Sequence, residues 1–324
     1  MSGRLVLAGN VIADLVIEVP ALPERGGDVI GTRTELTAGG GFNTLAAAGR
    51  IGAATVFAGL HGTGPYGDLV REALDTEGVR TLLPPRTDGD TSFTVALVDA
   101  DGERTFVTSF GVDARMTPAE AEKIAAEVRA GDLVQVSGYG LVMPVNGPLL
   151  ASLVDGLPDA ATVCLDPAPL VADIPAEVLG PVLDRTDWLS ANAREAALMC
   201  GAADPGRAAA ALRERLPRAG AGVLVRDGRD GCRLAPPDGS APVRVPGVPV
   251  TAVDSSGAGD AHVGAFLALL GEGAEPYAAA RVANAAAAYA VMRRGPATAP
   301  TRDQLCAFAR EKGAGDIVAL LGLG

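Results

Sequence analysis

Positive charge is what this chain has least of. Twenty-seven Lys and Arg stand against 39 Asp and Glu, which gives a formal net charge of −12 and a pI near 4.7. That balance argues against a nucleic-acid surface. A small phosphorylated ligand would need local neutralisation, for which magnesium is the obvious candidate. The two histidines, His61 and His262, are too few for a metal cluster. Cys164, Cys200, Cys232 and Cys306 show no CxxC spacing. Their scatter fits a reducing cytoplasm better than a disulfide framework or a zinc site. No stretch approaches the roughly 20 uninterrupted apolar residues of a membrane span. The opening MSGRLVLAGNVIADL carries too short an apolar run for a signal peptide and reads as a first strand over residues 4–9. No repeat, low-complexity linker or charge block divides the chain, so one main domain over 1–324 is expected.

What is present in quantity is hydrophobic residues, 48%, and 42 glycines. From residue 117 onward apolar strands and helices alternate, beginning with a helix capped by Thr117 and Pro118. That rhythm predicts an α/β fold with a mostly parallel, helix-covered sheet. Two earlier stretches differ. Residues 16–37 alternate polar and apolar around PERGGD, and 91–110 form a hairpin pattern around DADGE. Paired, they would make a small antiparallel sheet placed to act as a lid.

The chemistry concentrates in residues 251–266, TAVDSSGAGDAHVGAF. Gly257 and Gly259 allow a sharp turn that leaves backbone N–H groups unpaired and pointing one way. The helix expected from about residue 261 to 270 adds its positive end, so the turn favours phosphate. Asp260 is out of place there unless it has work to do, and the useful work is taking a proton from a hydroxyl that attacks phosphorus. It reads equally well as an N-terminal cap.

A second glycine-to-helix junction, AGGGFNTLAAAGRIG, spans 38–52. Asn43 sits there as a polar ligand contact or simply as a first-turn residue. Asn10 and Asp14 follow the first strand, where polar groups meet ligands. Asn192 and Glu195, in a strand that runs into a helix, have the spacing of a capping box.

Together these motifs resemble the ribokinase/PfkB family of carbohydrate and nucleoside kinases. The resemblance is carried by AGGGFN, NAREA, DSSGAGD, ANAAAA and RRG, in that order, over residues 9 to about 302. It implies a ribokinase-like three-layer αβα sandwich with a β lid, and transfer of the ATP γ-phosphoryl group to a primary hydroxyl. It assigns Asp260 as catalytic base and Gly257, Ala258 and Gly259 as the anion hole. Asp14, Gly40, Gly41 and Asn43 then bind acceptor hydroxyls. Asn192, Arg226, Gly228, Gly231, Ala258, Asn284 and Ala288 line the nucleotide pocket, and Glu195 supports Mg2+ through water. A potassium site is implied at Asp254 and Ser256, and a homodimer through the lid.

The chain also departs from the family pattern. Arg226 stands where several members have Thr, and His262 replaces an aromatic or Thr, which we read as a residue of the core or one behind the site and not a ligand. SGYG at 137–140 offers no acceptor Glu, and GLHGTGPYGD at 59–68 differs from the GxxGxDxxG pattern. Acceptor choice therefore stays open between a pentose or related sugar, a nucleoside and a sugar acid such as 2-keto-3-deoxygluconate. Phe93, Phe106 and Phe110 are candidate walls for a nucleoside base. A non-catalytic sugar- or nucleotide-binding regulator on the same fold is the alternative of a different class.

Overall fold

Alternation along the buried strands sets the layers. In β1 (Leu5–Ala8), Leu5 and Leu7 face one core while Val6 and Ala8 face the other, so the strand is apolar on both sides, as a helix-covered parallel strand must be. The computed structural model describes residues 3–322. The remaining strands are β2 (Val11–Glu18), β3 (Arg33–Gly40), β4 (Thr55–Phe57), β5 (Arg80–Thr81), β6 (Phe93–Val98), β7 (Arg104–Ser109), β8 (Leu133–Ser137), β9 (Thr162–Asp166), β10 (Trp188–Asn192), β11 (Gly222–Arg226), β12 (Cys232–Ala235) and β13 (Val243–Val245).

Nine of them form the central sheet, in the order β13-β12-β11-β10-β9-β8-β1-β4-β5. Pairing is parallel from β11 to β5 and antiparallel only at β12 and β13. Helices 41–51, 258–271, 276–290 and 302–311 cover one face, and helices 118–127, 146–155, 176–185 and 205–215 the other. This is the expected three-layer αβα sandwich. In such a sheet the crevice at the carboxyl ends of the parallel strands is where ligands bind. Asn10, Tyr139, Asp166, Asn192 and Arg226 all stand at or just beyond those ends.

The lid is a four-stranded sheet ordered β3-β2-β6-β7. It departs from expectation in two ways. Its first strand begins at Val11, not near residue 16, and so carries Asp14 itself. β2 and β6 also pair in parallel, so only two of its three pairings are antiparallel. Register separates its faces. Asp14, Thr37, Thr94 and Thr108 share one side, with Phe106 and Arg104 further along it; Leu15, Leu36, Val95 and Val107 share the other. Phe93 lies on this second side and stacks on Tyr66 at 4.6 Å, so it is no wall of the cleft.

The helix expected from residue 261 in fact begins at Ala258, with Gly257 in the left-handed region at φ 68° as its cap. Asp260 is therefore a first-turn residue and caps nothing. The sequence pattern also gave no warning of β5, β13 or the helices Arg302–Glu311 and Gly315–Leu320, which are short or weakly periodic. No helix among the described residues is long and apolar enough to cross a membrane. Cys164, Cys232 and Cys306 are buried, Cys200 is half-buried, and all four are free.

The helix Ala258–Gly271 packs on Gly41–Ile51, and Gly264 lies tight against that helix. A Cβ there would stand 2.5 Å from the Thr44 carbonyl oxygen and 2.7 Å from the Ala47 Cβ. Helix propensity alone would make Gly264→Ala stabilising by up to ~1 kcal/mol. The packing predicts the opposite sign, a loss of about 1–3 kcal/mol from overfilling, which denaturant unfolding will read.

Candidate active site

Two helix N-termini meet at one carboxylate. Asp260 accepts from the Thr44 hydroxyl at 3.1 Å and from the Asn43 amide at 3.4 Å, both on the first turn of Gly41–Ile51. Both helices open on a glycine with positive φ, Gly40 at 61° and Gly257 at 68°, so each chain reverses without steric cost as it enters the cleft. Among the described residues, the amides of Gly257, Gly259 and Asp260 donate to no protein acceptor. They form the kind of anion-binding end that a helix presents.

Burial pushes the Asp260 carboxyl up to about 6, and the charge of Asp166 adds to this, while the Thr44 and Asn43 hydrogen bonds and Arg226 pull it back. Asp14 is also pushed up to about 6, by burial first and then by the charge of Asp260. The lid carboxylate and the body carboxylate thus sense each other across the cleft. Gly39 makes room for Asp14, since a Cβ there would sit 1.8 Å from the carboxylate oxygen. Gly41 lies against Leu7 and donates to the Asn10 carbonyl at 2.9 Å. Asn43 is buried, and its Oδ1 has no hydrogen-bond partner among the described residues.

On the opposite side of the turn Arg226 enters between acids. Its guanidinium donates to Asp166 at 3.0 Å, to Ser190 at 3.0 Å and to Glu195 at 3.4 Å. It also lies 3.6 Å from where a Gly259 Cβ would stand, so it faces the helix N-terminus. Asn192 and Glu195 form a complete capping box: the Glu195 amide donates to Asn192 Oδ1 at 2.8 Å and the Asn192 amide to Glu195 at 2.8 Å. The Glu195 carboxyl is held above its usual range, chiefly by burial and next by Asp166. No group of three His, Cys, Asp or Glu among the described residues could hold a metal by itself.

Of the other positions expected around a nucleotide, Asn284 and Gly231 both pack on Val245. Asn284 donates to the Val245 and Pro246 carbonyls at 3.0 and 3.2 Å, and Gly231 packs so closely on Val245 that a Cβ would stand 2.2 Å from the same carbonyl. Gly228, at φ 55°, faces open space, and Ala288 lies one turn beyond Asn284. Asp254 is held by Arg104, Ser256 and Gly295. His262 is a buried residue of the helix; burial takes its pKa down to about 3, so it is neutral.

Sequence reasoning missed four contributors. Thr44 looks like one more small residue of a packed helix. Gly39 reads only as part of a glycine run. Asp166 and Tyr139 become neighbours of the site because β8 and β9 pair, with Ser137 opposite Asp166. The Tyr139 hydroxyl is pushed up to about 12, by desolvation first and then by the charges of Asp166, Glu195, Asp260 and Asp14, although the residue as a whole is half exposed. Ala168, at φ 57°, is the one non-glycine described residue with positive φ. It follows Asp166-Pro167, where Gly138 lets the backbone approach closely, a strain of the sort found at functional sites.

Keeping Asp260 ionised costs stability above pH 6, because its folded value lies above the 3.8 of a free carboxyl. Asp260→Asn is therefore expected to raise the unfolding free energy at pH 8 by about 1–2 kcal/mol. The gain should vanish below about pH 4, where the native carboxyl is protonated in both states. Denaturant unfolding at the two pH values checks it.

The comparisons with known proteins agree with this geometry. Residues 2–303 match the model of the pfkB family carbohydrate kinases. The chain is 30% identical over 314 residues to an uncharacterised sugar kinase of Escherichia coli, covering 93% of this chain and 92% of the relative. It is 29% identical to the ribokinase of Bacillus subtilis, covering 93% and 98%. Its structure is similar to that of Arabidopsis thaliana ribokinase complexed with ribose and ATP, with a TM-score of 0.78, 25% identity and coverage of 95% and 99%. With the glycine-bounded helix N-termini and the paired carboxylates in place, these matches settle the assignment: the chain belongs to the pfkB family of carbohydrate kinases and is an ATP-dependent sugar kinase of that family.

Proposed function

We propose that this chain transfers the γ-phosphoryl group of ATP to a primary hydroxyl of a small, ribose-like sugar, with Asp260 as the general base. The observation that carries the reading is the position of Asp260. It belongs to the helix whose free amides would hold the phosphoryl oxygens, and it contacts Thr44 and Asn43 on the helix that opens at Gly40 and Gly41. In this reading Asp14, Gly40, Gly41 and Asn43 orient the acceptor, and the unpartnered Asn43 Oδ1 is ready to accept from one of its hydroxyls. Asp260 takes the proton as the acceptor oxygen attacks in line. The amides around Gly257–Gly259, with Arg226 beside them, stabilise the developing charge.

Magnesium fits the residues present. Glu195 would serve it through water, since its carboxylate oxygens are already engaged by Asn192 and Arg226, leaving the ion's positions to water and phosphate oxygens. Bound there, it would neutralise phosphate charge that this acidic cleft repels.

A second reading, a nucleoside acceptor, has one observation in its favour. A cavity of about 450 Å3, lined in part by Phe110, Val112, Met143 and Val145, adjoins Asn10, whose amide lies 3.9 Å from the Met143 sulfur. Phe106 also lies on the cleft face of the lid. Both features would suit an apolar ring beyond the sugar.

The outer face of the lid supports a homodimer. Leu36 and Val107, 45% and 65% exposed, lie beside Leu15 and Val95 on that side, a patch suited to a second copy. Val107→Glu should then halve the mass seen by light scattering, with catalysis retained.

Turnover of ATP against a panel of sugars, nucleosides and sugar acids tests the acceptor. Ribose-like sugars should give the highest kcat/KM, and no turnover with any acceptor would leave a binding regulator. The rate should rise with pH through about 6 as Asp260 and Asp14 lose their protons. Asp260→Asn should lower kcat by orders of magnitude with little change in ATP affinity. A near-normal rate would remove the base assignment.

A further inference from the structure

Asp254, three residues before Gly257, ties together three separate stretches of chain. Its Oδ1 accepts from the Ser256 amide at 2.9 Å and from the Arg104 guanidinium at 2.5 Å, and its Oδ2 from the Gly295 amide at 3.1 Å. Behind it the Val253 and Asp254 amides donate to the Val291 carbonyl. Gly257 then packs directly on this second loop, since a Cβ there would stand 1.9 Å from the Pro296 carbonyl oxygen. The Asp254 carboxylate therefore sets where the amides of the phosphate turn point.

A carboxylate in this place opposes an incoming phosphate unless a cation offsets it. The family resemblance offers potassium, but the donors around Asp254 do not suit it. Two of its partners are N–H groups, whose positive ends repel a cation. The third is a guanidinium that already brings the charge. Arg104 opens β7, and register puts it on the same face of the lid as Asp14. The pair is largely shielded, with side chains 29% and 16% exposed. A more exposed pair, Arg294 with Glu18 at 3.2 Å, crosses the same seam.

We propose that Arg104 is a positioning residue that latches the lid onto the phosphate turn and supplies, at Asp254, the positive charge that a monovalent cation would otherwise provide. Phosphoryl transfer by this chain is then independent of potassium. The inference rests on the kinase reading above. When the lid swings away, Asp254 faces the nucleotide uncompensated. When it closes on an acceptor, the same movement brings Asp14 to the hydroxyls and Arg104 to Asp254, so acceptor binding and phosphate-site competence are coupled.

The test assays the purified enzyme at constant ionic strength in KCl, NaCl and tetramethylammonium chloride. The wild type should run at one rate in all three. Arg104→Gln should lose roughly tenfold or more in kcat, with a smaller change in acceptor KM, and should run faster in KCl than in tetramethylammonium chloride as the freed carboxylate takes up the ion. Arg104→Lys keeps a charge on the lid and should stay indifferent to potassium. Potassium activation of the wild type, or an Arg104→Gln enzyme as fast as wild type in every salt, overturns the proposal. Hydrogen exchange on the substrate-free protein gives a readout independent of turnover. Amides 253–259 should exchange faster in Arg104→Gln and be slowed again by KCl. Unchanged exchange overturns the latch while leaving the kinase reading intact. Faster exchange in a protein that phosphorylates no acceptor upholds the latch and places the failure with the kinase reading.

Discussion

The contact on which this site depends is the close crossing of two helices at Gly264. One brings the Gly257–Gly259 turn and Asp260, the other Asn43 and Thr44, and their first turns meet only because no side chain stands between them. Both helices direct their N-termini at the same point, so two positive dipole ends bear on one carboxylate. The Thr44 and Asn43 hydrogen bonds and the charge of Arg226 oppose the desolvation that drives Asp260 upward. The result is an acid placed near 6, a value suited to accepting a proton near neutral pH.

The electrostatics of the cleft follow from how few cations it contains. Asp14, Asp166, Glu195 and Asp260 surround it, and Arg226 is bonded to two of them. Such a cleft repels a bare polyphosphate. The chain places its guanidinium groups sparingly there, one behind the turn and one on the lid. Tyr139, whose hydroxyl stays protonated, stands in the SGYG segment where the family resemblance would have led one to look for a carboxylate.

Much of this was readable along the chain, because local signals carried it. The alternation of apolar strands with helices followed from periodicity, and the Thr117 cap is present with its full capping box. The glycine turns and the acids beside them stood out as a tight turn next to a charge. What stayed hidden depends on pairing between distant segments. The β8–β9 register sets Asp166 opposite Ser137, two residues before Tyr139, and Arg104 reaches Asp254 across 150 residues. Nothing local distinguishes Thr44 from a residue chosen for its size. The parallel β2–β6 pairing was missed for a related reason, since alternation reveals a strand but not the direction of its neighbour. The Asn192–Glu195 spacing had two meanings, and the cap is present whether or not a metal is also served.

The buried cysteines have a practical consequence. Cys164 in β9 and Cys232 in β12 are held protonated by burial, Cys232 up to about 12, so reagents that attack thiolates find nothing to react with in the native fold. Because the two strands occupy the middle and one margin of the same sheet, timed alkylation followed by mass mapping would reveal which part of the sheet opens first. The molecule thus carries built-in probes of its own unfolding.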